Sequence, residues 1–415
     1  MKQQNKIPEG WEYKKISQVS ESHAGGTPSR AEKRYYGGSI LWVKSGEVDN
    51  RDIIDTEEKI TEEALKNSSA KIVPKNTVLV AMYGATVGKV GILRKEATTN
   101  QAVLAIISKN NSFDCEFMYY LLSSKTHKLI NTTQGTGQPN LSKDLIDNLE
   151  VIIPPLSEQK AISKIFSEVD LELDNIGRER QATERIKRGI MVKLLENSSW
   201  KKVKLGELIN FKRGFSYRSE QISDKPIGKR KLFTINNFDK DGGIKQNAED
   251  IFLGDKIDIS MDFIIKEGDI LVANTDMSKG LIIGAPTLLK ELKDEFIFSM
   301  DLTKLIFDKK KIHPEFLFYF LRLEKVRRIM KMNAQGTNVL HLNHDLIKSQ
   351  IEIPLPSIEE QKRIALILST VDQKLDLELK RKDKLERIKK GLMNDLLTGE
   401  KRVNVDKVLK IGEEK

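Results

Sequence analysis

The stretch PPLSEQKAISKIFSEVDLELDNIGRERQATERIKRGIMVKLLE, residues Pro154 to Glu196, returns as PSIEEQKRIALILSTVDQKLDLELKRKDKLERIKKGLMNDLLT at Pro356 to Thr398. The two align without a gap and agree at 19 of 43 positions, which chance does not produce. Both copies carry Glu-Gln-Lys (Glu158-Gln159-Lys160; Glu360-Gln361-Lys362), then Val-Asp (Val169-Asp170; Val371-Asp372). Both close on Glu-Arg-Ile-Lys, a basic residue, Gly, Met and Leu-Leu (Glu184 to Leu195; Glu386 to Leu397). A period near 200 residues is far longer than any solenoid repeat, so it signals a duplicated domain.

Each copy follows a Pro-rich stop and opens on a helix-start pattern, Ser157 or Ser357 as N-cap followed by glutamates. Apolar residues then recur at steps of four and three: Ile162, Phe166, Val169, Leu173, Ile176 in the first copy, and Ile364, Leu368, Val371, Leu375 in the second. That is a heptad seam, interrupted near Arg180 and Lys187 and near Glu378 and Lys382. About 40 residues make a helix roughly 60 Å long at 1.5 Å per residue. Two helices of matched seam and balanced charge are expected to pack on each other rather than stand alone in solvent.

Weaker echoes lie upstream. Trp11 to Ile16 resembles Trp200 to Leu205, and Thr77 to Ala81 resembles Asp269 to Ala273. Gln134-Gly135-Thr136 with Leu141 and Asp144 matches Gln335-Gly336-Thr337 with Leu342 and Asp345. The order is therefore domain (1–156), helical spacer (157–197), domain (198–356), helical spacer (357–400) and a tail (401–415). Short β-rich runs, Ile40 to Val43, Val78 to Ala81 and Val103 to Ile107, sit between Gly, Asn and Asp turns. Helical stretches are predicted at Cys115 to Ile130 and Pro314 to Met332. The fold class is α+β / mixed: two duplicated β-rich α/β domains separated by two long helices packed on each other.

The chain has 415 residues, 70 Lys and Arg against 60 Asp and Glu, and a net charge of +10. The helical segments are nearly neutral, so the excess lies mostly in the domains and the tail, compatible with a polyanion partner. No run of about 18 apolar residues suggests a membrane span, the first residues lack the apolar core of a signal peptide, and the single cysteine, Cys115, cannot form an intramolecular disulfide. A cytoplasmic protein is expected.

Catalytic readings fail one by one. Gly84 to Gly91 superficially looks like a phosphate loop, but it is one residue short before Gly88-Lys89 and has Val90 where a Mg²⁺-binding hydroxyl belongs; a Gly-rich turn after a strand is the simpler reading. Neither a Gly-x-Gly-x-x-Gly run nor an amino-methyltransferase Asn/Asp-Pro-Pro-aromatic motif is present. The five histidines (His23, His127, His313, His341, His344) have no companion ligands at metal spacing. Glu12-Tyr13-Lys14 and Asp372-Gln373-Lys374 match the tail of a nuclease core, but no Pro-Asp in suitable context precedes them. No catalytic or metal site is expected.

The arrangement resembles a known family. Pro8-Glu9-Gly10-Trp11, Gly25-Gly26-Thr27-Pro28-Ser29, Gly84-Ala85-Thr86-Val87-Gly88-Lys89-Val90 and Gln138-Pro139-Asn140-Leu141-Ser142, set between the repeated helices, look like the specificity subunit of a type I restriction-modification system. The resemblance spans residues 1 to 400. It implies a non-catalytic, DNA-binding subunit in which each variable domain is a target recognition domain for one half of a bipartite sequence. The two helices would form an antiparallel coiled coil, pseudo-two-fold, that sets the non-specific spacer, and two methyltransferase subunits and motor-nuclease subunits would dock on the scaffold. S-adenosylmethionine, ATP and Mg²⁺ would then belong to those partners, with no cofactor in this chain. The second domain departs from the pattern: Gly214-Phe215-Ser216-Tyr217 replaces Gly-Gly-Thr-Pro, and Asn274-Thr275-Asp276 replaces Tyr83-Gly84-Ala85.

Loop cations position a protein on phosphates, whereas directional side chains read base edges. The DNA-contact candidates of the first domain are Thr27, Ser29, Arg30, Arg34, Tyr35, Tyr36, Lys44, Ser45, Tyr83, Lys89, Thr99, Asn100 and Gln101. Those of the second are Arg213, Tyr217, Arg218, Lys229, Arg230, Lys231, Asn236, Asn237, Asn274 and Lys279. Each is otherwise a solvated loop residue or a polar group that stabilises a turn. The Gln134-Gly135-Thr136 and Gln335-Gly336-Thr337 loops are open to either reading. Two rival classes remain: a stand-alone DNA-binding regulator that needs no partner, and an enzyme whose active site this sequence does not offer.

Overall fold

The computed structural model describes residues 7–49, 51–132, 140–197, 199–238, 244–245, 248–254, 257–277, 280, 282–290, 292 and 294–410. The chain divides into two compact units, residues 1–177 with 380–415, and residues 178–379. Each holds one mixed domain and a part of each long helix, Leu156–Leu195 and Ile358–Leu397.

In the first unit a five-stranded sheet has the order Ser20–Ala24, Val103–Ser108, Thr77–Ala81, Val90–Leu93, Asp52–Ile53. All neighbours are antiparallel except the last pair. Its central strands are buried on both faces, which explains why Thr77 to Ala81 reads as a continuous apolar run. Alternate residues of a strand point to opposite sides. Val78, Val80, Leu104 and Ile106 join the core built on helix Cys115–Thr132. Leu79, Ala81, Val103 and Ala105 join a second core with Leu41, Val43, Val48 and Ile53. That second core lies toward the sheet formed by Lys59–Ile60, Tyr36–Val43, Ala97–Thr99 and Ile72–Val73.

The second unit repeats the plan. Ile209–Arg213, Leu302–Phe307, Ile270–Ala273 and Pro286–Leu288 form an antiparallel sheet in the same order. A smaller sheet holds Ile222–Ser223, Ile251–Leu253, Arg230–Phe233 and Phe296–Phe298. The helix predicted over Pro314 to Met332 is two helices, Pro314–Leu321 and Glu324–Met332. The chain breaks at Leu323, which takes an extended ψ of 135° and is buried. Turning there places Val326 and Met330 in the same core as Phe316 and Phe320.

The helical seams serve the domains as well as each other. Ile162 and Phe166 lie in the core of the first domain with Leu396 and Leu397 from the end of the second long helix. Ile364 and Leu368 lie in the core of the second domain with Leu195. Ile176 is buried, and Val169, Leu173, Val371 and Leu375 are half-buried. The first helix begins at Leu156, so Ser157 sits inside the first turn instead of capping it, while Ser357 Oγ accepts from the Glu360 amide at 3.3 Å as a cap should.

The residues that recur in both repeats have matching partners. In the first unit the Gln159 side chain accepts from the Asp114 amide at 2.8 Å and donates to the Pro154 carbonyl at 2.9 Å; in the second, Gln361 accepts from the His313 amide at 2.8 Å and donates to the Pro356 carbonyl at 3.0 Å. Tyr120 donates to Asp170 at 2.7 Å, and Tyr319 donates to Asp372 at 2.8 Å. The repeated lysine crosses over: Lys389 pairs with Asp170, and Lys187 with Asp372. Within the first unit Asp170 and Glu172 meet Lys389 and Arg381; within the second, Thr183 and Lys187 meet Glu378 and Asp372. Rising numbers on one helix face falling numbers on the other, so the segments run antiparallel in each unit.

Candidate nucleic-acid interface

Gly25 and Gly26 follow the strand Ser20–Ala24, and neither position has room for a side chain. A Cβ on Gly25 would lie 1.9 Å from the Thr99 carbonyl oxygen, and one on Gly26 would lie 2.3 Å from Ser69 Oγ. This close approach seats the following loop on two aromatic rings. Trp42 Nε1 donates to the Gly26 carbonyl at 3.0 Å, and the Tyr36 hydroxyl donates to the Pro28 carbonyl at 2.6 Å. The Arg30 guanidinium then lies 4.4 Å from the Tyr36 ring centre and 5.1 Å from that of Trp42.

Glu58 gathers the charges beneath. Arg30 donates to its two carboxylate oxygens at 2.5 and 3.2 Å, and Lys44 Nζ reaches it at 3.1 Å while also pairing with Glu57 at 2.9 Å. Arg30 first, and Lys44 after it, hold the Glu58 carboxyl down to about 2. The Thr27 and Gln101 side chains hydrogen-bond each other, and the Asn100 amide donates to the Val43 carbonyl at 2.9 Å. The Thr86 hydroxyl donates to the Ser45 carbonyl at 2.6 Å. These links bring Thr27, Arg30, Tyr36, Lys44, Ser45, Asn100 and Gln101 into one polar patch, with Ser29 exposed on the same loop. In the Gly84 to Gly91 run, residues 84 to 89 connect the antiparallel strands Thr77–Ala81 and Val90–Leu93, with Gly84 and Gly88 at positive φ, as the turn reading requires.

Other candidates of the first domain separate from this patch or from solvent. Arg34 is exposed and paired with Glu32 and Glu63, Lys89 is exposed and paired with Asp49, and Tyr83 is 40% exposed. Tyr35 and Thr99 do not belong in a contact set. Tyr35 is buried with Trp42, Ile60 and Ala64, and Thr99 is fully buried where the Gly25 backbone crosses it. The Gln134-Gly135-Thr136 loop and Lys279 lie outside the described residues.

In the second domain Gly214 plays the part of Gly25, since a Cβ there would lie 1.9 Å from the Ser299 carbonyl oxygen. Tyr217 is half-buried, and burial pushes its hydroxyl pKa up. Arg213 and Arg218 are exposed, and among the described residues neither forms an ion pair. Asn274 is buried and is not a contact: its carboxamide oxygen lies 2.8 Å from His344 Nε2, and the His344 ring stacks on Phe211 at 4.4 Å. Burial first, then Arg213 and Lys348, lower the His344 pKa. The pairing of Asn274 with Tyr83 is off by one residue, whereas the pairing of Thr77–Ala81 with Asp269–Ala273 already sets Met82 opposite Asn274. The Asn274 carbonyl accepts from the Leu342 amide as the Met82 carbonyl accepts from Leu141, so Asn274 corresponds to buried Met82 and not to exposed Tyr83.

Arg230 pairs with Glu295, and Lys231 with Asp250 and Asp294, on the smaller sheet; Lys229, beside them, is exposed. Asn237 accepts from the Thr234 amide at 2.8 Å and closes a turn, whereas Asn236 is exposed. Gln335-Gly336-Thr337 is the exposed turn between Ala334–Gln335 and Leu340–Leu342, with Gly336 at φ 131°. Sequence reasoning missed Glu58, Trp42 and His344 as site-shaping residues. Glu58 sits in a run of charges that offers no periodic signal, and its role emerges only when Arg30 and Lys44 converge on it.

Chemically the patches can donate and accept hydrogen bonds and offer cations. Among the described residues no group of three or more His, Cys, Asp or Glu side chains is arranged to hold a metal ion. Among the same residues no helix is long and apolar enough to cross a membrane. Asp372, the one nuclease-like carboxylate on the helices, is committed to Tyr319 and Lys187.

The chain is 28% identical over 422 residues to the type I restriction enzyme MjaVIII specificity subunit of Methanocaldococcus jannaschii, covering 96% of this chain and 94% of that one. In fold it is similar to the S subunit of a type I restriction-modification system from M. genitalium, with a TM-score of 0.58 at 19% identity over 96% of this chain and 98% of the other. A chain from a structural description of complex assembly and conformational transition in the type I system gives 0.60 at 16% identity over 95% and 99%. The type I restriction modification DNA specificity domain matches residues 8–185 and again 197–387. With the domain matched twice over most of its length, the chain belongs to the family of type I restriction-modification specificity subunits.

Proposed function

We propose that this chain reads a bipartite DNA sequence, one half through the domain of residues 1–156 and the other through that of residues 198–356. The helical segments 157–197 and 357–400 act as an antiparallel coiled coil that sets the spacing of the half-sites and carries two methyltransferase subunits. Motor-nuclease subunits join for restriction. The adenine-methylating and DNA-translocating chemistry, with its S-adenosylmethionine, ATP and Mg²⁺, belongs to those partners. The observation that carries the reading is the duplication itself: the family's domain occurs twice, and each copy presents exposed polar and cationic side chains on a scaffold of the same strand order.

Half-sites about one turn of duplex apart, roughly 34 to 36 Å, face the same side of the DNA. Helices of 40 residues reach roughly 60 Å, long enough to bridge that separation. Arg213 and Arg218, exposed and without a carboxylate among the described residues, suit phosphates, and the directional groups of the first-domain patch suit base edges. The test is to express the chain with the methyltransferase encoded beside it in a methylation-free host and map modified bases by long-read sequencing. A bipartite adenine-methylation motif that requires both proteins supports the proposal. Tight binding to a unique site without any partner, and no methylation with one, would favour a stand-alone regulator.

A further inference from the structure

We infer that Glu58 is a specificity-determining positioning residue of the first domain, which holds Arg30 as a reader of a base edge instead of a phosphate anchor. The inference rests on the DNA-reading role proposed above.

A phosphate anchor needs uncompensated charge. Around Glu58 the charges cancel: two cations, Arg30 and Lys44, meet two carboxylates, Glu57 and Glu58, all within hydrogen-bonding distance. Such a cluster attracts a polyanion weakly. A base reader needs a fixed planar fork, and Arg30 is fixed from two directions. Glu58 holds both terminal nitrogens, and the faces of Tyr36 and Trp42 lie against the guanidinium. Those rings are themselves pinned to the loop, by Tyr36 to the Pro28 carbonyl and Trp42 to that of Gly26.

Despite these contacts the Arg30 side chain keeps 55% of its surface open. Its remaining N–H groups can meet guanine O6 and N7 at little cost in side-chain entropy. Glu58 stays ionised throughout the neutral range because the same two cations stabilise its charge. The Gly25-Gly26-Thr27-Pro28-Ser29 motif thereby acquires a physical purpose: it delivers Arg30 to this seat.

A bidentate arginine discriminates its base pair by roughly 5- to 150-fold. Glu58→Gln keeps the size but loses one acceptor oxygen and the charge; Arg30→Lys keeps the cation but not the fork. With the full chain and its methyltransferase, methylation is read at the motif and at every single-base variant of it. Both variants should cut discrimination roughly tenfold at one and the same base pair of the half read by the first domain, leaving the other half as strict as before. If both lower or raise methylation uniformly across the variants, or relax different positions, the inference is wrong while the wild-type bipartite motif still upholds the DNA-reading role. If the wild type gives no bipartite motif, both fall together. Arg30→Lys guards against misfolding of the Glu58 variant, because it leaves the carboxylate in place.

Discussion

Removing Asp372 is expected to destabilise residues 178–379 more than removing its partner Lys187. The Lys187 side chain is only 10% exposed, and Arg322 lies 3.9 Å from the same carboxylate. In Asp372→Ala a desolvated ammonium loses its counter-charge and faces Arg322, and the Tyr319 hydroxyl loses an acceptor at 2.8 Å. Breaking a buried pair costs about 3–5 kcal/mol. Asp372 is 32% exposed, which screens part of this, so about 2–3 kcal/mol is expected. In Lys187→Met the stem still packs and Asp372 keeps Tyr319 and Arg322, so the cost is about 1 kcal/mol. The double variant should be more stable than Asp372→Ala alone by roughly 1 kcal/mol.

The cost of Asp372→Ala should also shrink as pH rises toward 10. Burial first, and Arg322 after it, lower the Lys187 pKa, and Asp372 opposes them. Without Asp372 the folded state sheds the Lys187 proton sooner than the unfolded chain does, which relieves the buried charge. Urea denaturation followed by circular dichroism and tryptophan fluorescence measures all of these quantities. Equal costs for the two single variants, or strictly additive effects in the double, would refute the reasoning.

Gly25→Ala should unseat the Thr27 to Arg30 loop, because its Cβ meets the Thr99 carbonyl at 1.9 Å; the readout is lost selectivity in the half-site read by the first domain, and an unchanged motif would contradict it. Arg402→Ala removes two hydrogen bonds, at 3.1 and 2.7 Å, from Glu158, whose side chain is 2% exposed and keeps the Trp11 indole N–H at 3.0 Å. The cost should be about 2–3 kcal/mol, and Glu158→Gln should recover part of it in a melting experiment. Burial lowers the pKa of His23, His313 and His344. The unfolded chain therefore takes up protons near pH 6.5 that the folded chain refuses, and stability falls as pH drops below that value. A higher urea midpoint at pH 5.5 than at pH 7.5 would contradict this sign.

The duplication, the two long helices and the principal strands are readable in the sequence because each depends on periodicity and repetition, which local physics imposes. What the repeated residues do is not readable. Gln159, Asp170 and Lys187 recur in the second copy, yet their partners Asp114, Tyr120 and Asp372 are distant in the chain, and only folding joins them. The break at Leu323 is hidden for a related reason: the run around it keeps helical periodicity, and burial of Leu323 against the core decides the turn. Among the contact candidates, Tyr35, Thr99 and Asn274 look like loop polar groups in sequence and are buried in the structure. Exposure of a residue beside a turn depends on which strand crosses it, and the sequence around Thr99 does not say that Gly25 will.

Each domain is proposed to read its own half of the DNA target. The most direct test exchanges residues 8–156 for the corresponding domain of a relative and maps methylation with the same methyltransferase. One half of the motif should change while the other half and the spacer length persist. A motif that changes in both halves, or in neither, would contradict the claim.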